Sequence, residues 1–252
     1  MPTRPLLFVA GQGRSGTTEL MEVLVAHPEI ALGVERYKRL WGGQAITGLT
    51  ADLFDRDRFF DFSDELTNLT PDAFDARWRE HYRRMAEKWD TARYVGDKMT
   101  RLRMQALWSL HPDARFVCIV RNIDEVAHSW NVRAHNPDDK SWPSHADAQV
   151  AVRNWNTALG RIRRAARQRP DRVVVVEYTH FFGDPEGAAL RRILDALDLA
   201  AEPAVLARFD QSHRTYVTQI AGKDRALSAA DRAFIDEHAD RRLWRQVRAL
   251  TR

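Results

Sequence analysis

The segment Pro5–Leu24, PLLFVAGQGRSGTTELMEVL, places the tightest constraint on how this chain can fold. It opens with an apolar run, Leu6–Ala10, short enough for one buried strand. A polar loop follows, Gly11-Gln12-Gly13-Arg14-Ser15-Gly16-Thr17-Thr18, and then Leu20, Met21, Val23, Leu24 and Val25 recur at helical spacing. Strand, glycine loop and helix together make a phosphate cradle. The loop turns its backbone N–H groups inward, and the helix N-terminus adds partial positive charge.

Gly11 and Gly16 have the spacing of a nucleotide-triphosphate P-loop, but Thr17 stands where that loop carries its lysine. Arg14 is the cation inside the loop instead. The set Gly13, Arg14, Ser15, Gly16, Thr17 and Thr18 therefore suits a ligand with one phosphate and one attached acidic group better than a triphosphate. A turn that only packed strand on helix would not need an arginine and three hydroxyls together.

The remaining pattern alternates short apolar strands with helices. Ile30–Gly33, Arg93–Gly96, Arg115–Val120 and Arg172–Glu177 read as strands. This predicts an α/β fold: a single domain over residues 1–252, three-layer α/β/α, with a central parallel sheet and a P-loop-like loop. Helices are expected from Asp72 to Trp89, Leu102 to Leu110, Asp147 to Arg167, Pro185 to Leu199, over Pro203–Phe209, and from Ser228 through Leu243 and Trp244. Residues 43–71 read as a long loop with short helical turns, and 212–225 as an irregular basic loop.

At 252 residues with 44% hydrophobic content, the chain can bury one sizeable core. No run approaches a membrane span, and the first apolar run is too short for a signal peptide. The lone cysteine, Cys118, excludes an internal disulfide and a cysteine-rich metal site, so cytoplasmic residence is the default expectation. A net charge of +4 with interspersed Arg and Asp/Glu is mild for a nucleic-acid binder, so no nucleic-acid partner is expected. There is no HExxH pattern or two-metal carboxylate cluster, and no metal is expected.

In open parallel sheets, ligands bind outside the carboxyl ends of the strands. Charged residues at strand ends are therefore the site candidates: Glu35 after the second strand, Lys98 after the third, Arg121 after the fourth. Ser129 lies on the helix after Arg121, and Tyr178 follows the fifth strand. Lys223 and Arg225 sit in the basic loop, which could close over an anion. The residues alone reach an enzyme or module that binds an adenine nucleotide or another phosphate ligand. A kinase-like phosphotransferase and a non-catalytic nucleotide-binding module stay open at that level.

Arg-Ser-Gly-Thr-Thr after a strand resembles the 5′-phosphosulfate loop of sulfotransferases that use 3′-phosphoadenosine-5′-phosphosulfate (PAPS). The similarity is to the bacterial branch and to the tyrosylprotein sulfotransferases. It implies 5′-phosphosulfate binding by Arg14, Ser15, Gly16, Thr17 and Thr18, and a 3′-phosphate site at Arg121 and Ser129, eight residues apart. Glu35 matches the catalytic base of the tyrosylprotein branch, Lys98 its lysine near the bridging oxygen, and Tyr178 its adenine-contacting tyrosine. Lys223 and Arg225 remain candidates for closing the 3′-phosphate site. The implied reaction is in-line transfer of a sulfuryl group from PAPS to an acceptor hydroxyl, with partial desolvation raising the pKa of Glu35. The acceptor is a small molecule, a glycan or a peptide.

Overall fold

The structure is a computed structural model that describes residues 4–43, 45–67, 76–223 and 225–251. Among these, five parallel strands form one sheet: β1 (Leu6–Ala10), β2 (Ile30–Val34), β3 (Tyr94–Met99), β4 (Arg115–Val120) and β5 (Val173–Glu177). Their spatial order is β2-β3-β1-β4-β5. β1 is central and buried along its whole length, as a parallel strand covered on both faces must be. Its register sets Val9 against Lys98 on one side and Val117 on the other.

Helices flank the sheet on both faces, giving the three-layer α/β arrangement. In chain order they are α1 (Thr17–Leu24), α2 (Lys38–Gly42), α3 (Arg56–Phe60), α4 (Ala76–Lys88), α5 (Met104–Leu110) and α6 (Ile123–Ala134). They continue with α7 (Ala148–Gln168), α8 (Tyr178–Gly183), α9 (Ala188–Ala196), α10 (Pro203–Thr215), α11 (Ala229–His238) and α12 (Arg241–Arg248). α1 packs on β1, β2 and β3 and against α10; α7 packs on β5 and is covered by α6, α11 and α12. Because the chain goes from β1 to β2 and β3 on one side and then to β4 and β5 on the other, the carboxyl end of β1 opens a crevice.

Four boundaries differ from expectation, each for a physical reason, and one lies outside the described residues. β3 continues through Asp97 and Lys98 to Met99, because β2 pairs with it as far as Lys98 and β1 as far as Met99. Lys98 is thus a strand residue, not one beyond the strand. Asp72 and Phe74 lie outside the described residues; the described helix starts at Ala76 and buries Tyr82 and Met85. Tyr178–Gly183 is a helix of its own, capped by the Glu177 carboxylate, which accepts from Thr179 N and His180 N. The stretch read as irregular from Ser212 begins as the last turn of α10 and continues as a π-helical turn, Tyr216–Ile220. Finally, the C-terminal helix is two helices: Asp240 caps α12 by accepting from Leu243 N.

Candidate active site

The glycine loop leaves β1 and enters α1 through Gly16, whose φ of 94° lies in the left-handed region. A Cβ at Gly16 would also stand 2.6 Å from the Tyr178 ring, so only glycine fits there. No side chain caps the first turn of α1, which leaves its N–H groups to the crevice. Arg14 adopts φ 73°, a strained setting for a residue with a Cβ. Both its ends are tied: its Nε donates to Ser129 Oγ at 3.0 Å and its carbonyl accepts from Arg121 at 3.2 Å. Burial, then the nearby charges of Arg133 and Arg121, lower the pKa of Arg14, the signature of a cation held without a full counter-charge.

A cavity of about 470 Å³ opens beside the loop. Arg14, Gly16, Thr17, Thr18, Arg121 and Tyr178 line it, with Trp78, Phe182 and Tyr216 supplying aromatic walls. The Arg121 guanidinium lies 3.9 Å from the centre of the Tyr178 ring, and Trp155 Nε1 donates to the Arg121 carbonyl at 2.9 Å. Ser129 reaches the site through Arg14. Arg225 reaches it through Glu125, which pairs with Arg121 at 2.5 Å and with Arg225 at 3.0 Å. The neighbouring carboxylate of Asp124 faces Arg241 at 3.4 Å. Lys223 is exposed and does not line the cavity.

Across the loop, Glu35 and Lys98 meet at 2.7 Å, and Lys38 closes on the other carboxylate oxygen at 2.6 Å. Lys98 is buried and Glu35 nearly so, at 5% and 12% side-chain exposure. Burial pushes the Glu35 carboxyl up, but Lys98 and Lys38 outweigh it and hold the group below its ordinary value. The expected rise from desolvation is therefore reversed by the two lysines. Glu35 has φ 53°, and its N–H donates to the Lys98 carbonyl, extending the β2–β3 ladder by one residue. A non-glycine residue locked in this region marks a place where the surroundings over-determine the backbone.

Asp97 supplies much of that determination. It is fully buried, and its carboxylate accepts from Arg36 N at 3.1 Å, Tyr37 N at 3.3 Å, Trp41 Nε1 at 3.2 Å and Lys98 N at 2.9 Å. Burial raises its pKa to about 6; the amides of Arg36 and Tyr37, the Trp41 indole and the Lys98 charge pull against that rise. Sequence reasoning missed both Asp97 and Lys38. Asp97 looked like one strand-end carboxylate among many. Lys38 had a usable signal, since it stands three residues after Glu35 at the start of a helix.

A second cavity, about 710 Å³, adjoins the first through Arg14, Thr17 and Thr18. Glu35, Lys38 and Lys98 form one wall, with Trp130 and Trp142 on another and the Asn154–Arg161 side of α7 beyond. A further cavity of about 650 Å³ lies around Leu6, Tyr94 and Arg115, at the amino ends of the strands, away from all these groups. Among the described residues, no cluster of three or more His, Cys, Asp or Glu could hold a metal.

Known proteins resemble this chain in sequence and fold. The chain is 24% identical over 240 residues to a putative protein-tyrosine sulfotransferase of Caenorhabditis briggsae, covering 89% of this chain and 75% of that one. Its fold is similar to the sulfotransferase domain of the Synechococcus PCC 7002 olefin synthase, with 18% identity, 92% and 94% coverage and a TM-score of 0.53. It is also similar to mouse sulfotransferase SULT7A1 complexed with PAP, with 12% identity, 98% and 88% coverage and a TM-score of 0.56. The sequence profile of the sulfotransferase family matches residues 5–203, most of the chain, and on that match this protein belongs to the sulfotransferase family.

Proposed function

We propose that this enzyme transfers a sulfuryl group from PAPS to a hydroxyl of its acceptor, with the donor in the cavity beside the glycine loop and the acceptor in the cavity beside Glu35. The observation that carries this reading is the position of Arg14, Thr17 and Thr18 on the boundary of both cavities, so that one loop faces donor and acceptor together.

The residues fit the donor. The open N–H groups of α1 and the Arg14 cation suit the 5′-phosphosulfate. Arg121, with Ser129 behind Arg14, suits a 3′-phosphate, and the aromatic walls at Tyr178, Trp78 and Phe182 suit an adenine. In the reaction, the acceptor oxygen forms a bond to sulfur as the bond from sulfur to the phosphate oxygen breaks. The acceptor proton goes to Glu35, and adenosine 3′,5′-bisphosphate (PAP) leaves. Negative charge grows on the bridging oxygen, where Lys98 and Arg14 stabilise it. Glu35 takes the proton as it departs, since a carboxylate is too weak a base to remove it beforehand. The absence of any helix long and apolar enough to cross a membrane among the described residues, and the single buried Cys118, fit a cytoplasmic enzyme.

The test is transfer from labelled PAPS to a panel of hydroxylated acceptors, read by mass, in the wild type and in Arg14→Ala. Transfer that falls by about 100-fold or more in the variant, with weaker PAP binding, supports the reading. Undiminished PAP affinity would show that the 5′ site lies elsewhere.

A further inference from the structure

The acceptor cavity is strongly unbalanced in charge. Among the described residues, Arg14, Lys38, Lys98, Arg101, Arg133 and Arg161 line it, against the single carboxylate of Glu35. Four of these cations already have employment: Lys38 and Lys98 share Glu35, Arg133 pairs with Asp139 at 2.5 Å, and Arg14 faces the donor. Arg101 and Arg161 are left, and neither has a carboxylate partner among the described residues. Each is nonetheless aimed. Arg101 donates to the Gly42 carbonyl at 2.6 Å and Arg161 to the Leu102 carbonyl at 3.4 Å. Each guanidinium keeps further N–H donors in a planar fork that matches an acid's two oxygens.

The surrounding wall points the same way. Asn154, Thr157 and Arg161 recur at three and four residues along α7 and so share one helical face on this cavity. Trp130 and Trp142 stand edge to face, 4.9 Å between centroids, and offer an apolar surface to a flat or chair-shaped ring. A volume of about 710 Å³ accommodates such a molecule.

We infer that the acceptor is a ring-bearing hydroxyl compound that carries an acidic group, and that Arg101 and Arg161 bind that group. This rests on the reading that the cavity beside Glu35 holds the acceptor. The acid fixes the ring so that its hydroxyl reaches Glu35, and a neutral analogue leaves two cations of the wall unanswered.

Matched acceptor pairs test this, with PAP bound for affinity and PAPS for turnover. The phenol pair is 4-hydroxyphenylacetate against its amide; the sugar pair is methyl glucuronide against methyl glucoside. At least one acid should bind and react about 10-fold or more better than its neutral partner, the scale of a hydrogen bond to a charged group. The pair that shows the gap identifies the ring as phenol or sugar. In an Arg101→Gln, Arg161→Gln double variant the gap should shrink to a few-fold through KM for the acid, with kcat for the neutral compound and PAP affinity kept. Equal binding of acid and neutral partner in both pairs, or binding of no acid at all, overturns the proposal. So does a double variant that retains the full gap or loses acid and neutral alike. A protein that fails to bind PAP overturns the donor reading beneath it, and calorimetry with PAP alone tells the two failures apart.

Discussion

Glu35 holds two lysines on one carboxylate, and this constrains how it would work as the proposed base. The pair keeps it ionised at neutral pH, ready to accept a proton, yet weakens it as a base. The conflict resolves if Lys98 turns toward the developing charge on the donor as the acceptor proton arrives. Glu35→Gln keeps the shape and removes the basicity, so turnover should fall by about 100-fold or more while PAP affinity stays near wild type. Single-turnover rates with saturating acceptor check this, and a change of only a few-fold would move the proton to another group. At the donor end, Arg121→Ala and Ser129→Ala should each weaken both PAPS and adenosine 5′-phosphosulfate, because both residues hold Arg14. Arg121→Ala should weaken PAPS the more, since adenosine 5′-phosphosulfate lacks the 3′-phosphate. Competition binding with the two nucleotides reads the difference. From the sequence, Glu35, Lys98, Arg121 and Ser129 were legible as strand-end or family positions. The link from Ser129 to Arg14 was not, because side chains 115 positions apart meet only through the fold.

Among the elements, the turn from β2 into α2 depends on a residue outside it. Asp97 on β3 accepts from two of its backbone amides and from the Trp41 indole, and these bonds hold Glu35 in its left-handed backbone. All four of the Asp97 partners are donors. Asparagine would set its own N–H₂ against two of them, so Asp97→Asn should cost about 1–3 kcal/mol of stability and lower kcat with PAP affinity retained. The pH dependence has a definite sign. The pKa of Asp97 is raised to about 6, so the folded chain holds this proton more tightly than the unfolded chain does. Its contribution to stability therefore falls as pH rises from about 4 to about 6, by ~3 kcal/mol, and Asn removes that slope. Glu35 acts oppositely and lower: its pKa is depressed, so its contribution is present above the ordinary carboxylate value and lost as pH falls through the folded one. Denaturant midpoints of wild type and variant between pH 4 and 7 isolate the Asp97 part. β1 and β4 were readable because their runs, LLFVA and FVCIV after Arg115, are continuously apolar, whereas β3 carries Asp97 and Lys98 and so looked shorter than it is. The C-terminal third was less so. The π-helical turn Tyr216–Ile220 has no simple period, and the break at Asp240 is made by one capping carboxylate inside the largely polar run from Asp236 to Arg242, where no apolar period marks an end.

At the scale of the whole molecule, a parallel sheet flanked by helices was readable from the alternation of strands and helices, whereas the order β2-β3-β1-β4-β5 was not, because alternation does not say on which side of β1 each strand pairs. Nor was the division of the crevice into two cavities, since it depends on how the Trp130–Trp142 and α7 walls close on the loop. Ligand linkage tests the assembled site: PAP at 100 times its Kd should stabilise the fold by about 2.7 kcal/mol, seen as a concentration-dependent rise in Tm, and ATP with Mg²⁺ at equal concentration should do markedly less. Arg14, which walls both cavities and is anchored by its Nε to one helix and by its carbonyl to Arg121, has a consequence for the catalytic cycle. A side chain common to two compartments makes their occupancies interdependent, and such interdependence is reciprocal at equilibrium. A donor that sharpens the grip on the acceptor must be gripped more tightly in return. The same bond of dependence would then hold PAP while sulfated product is still in place, so that the order in which products depart is set by one arginine.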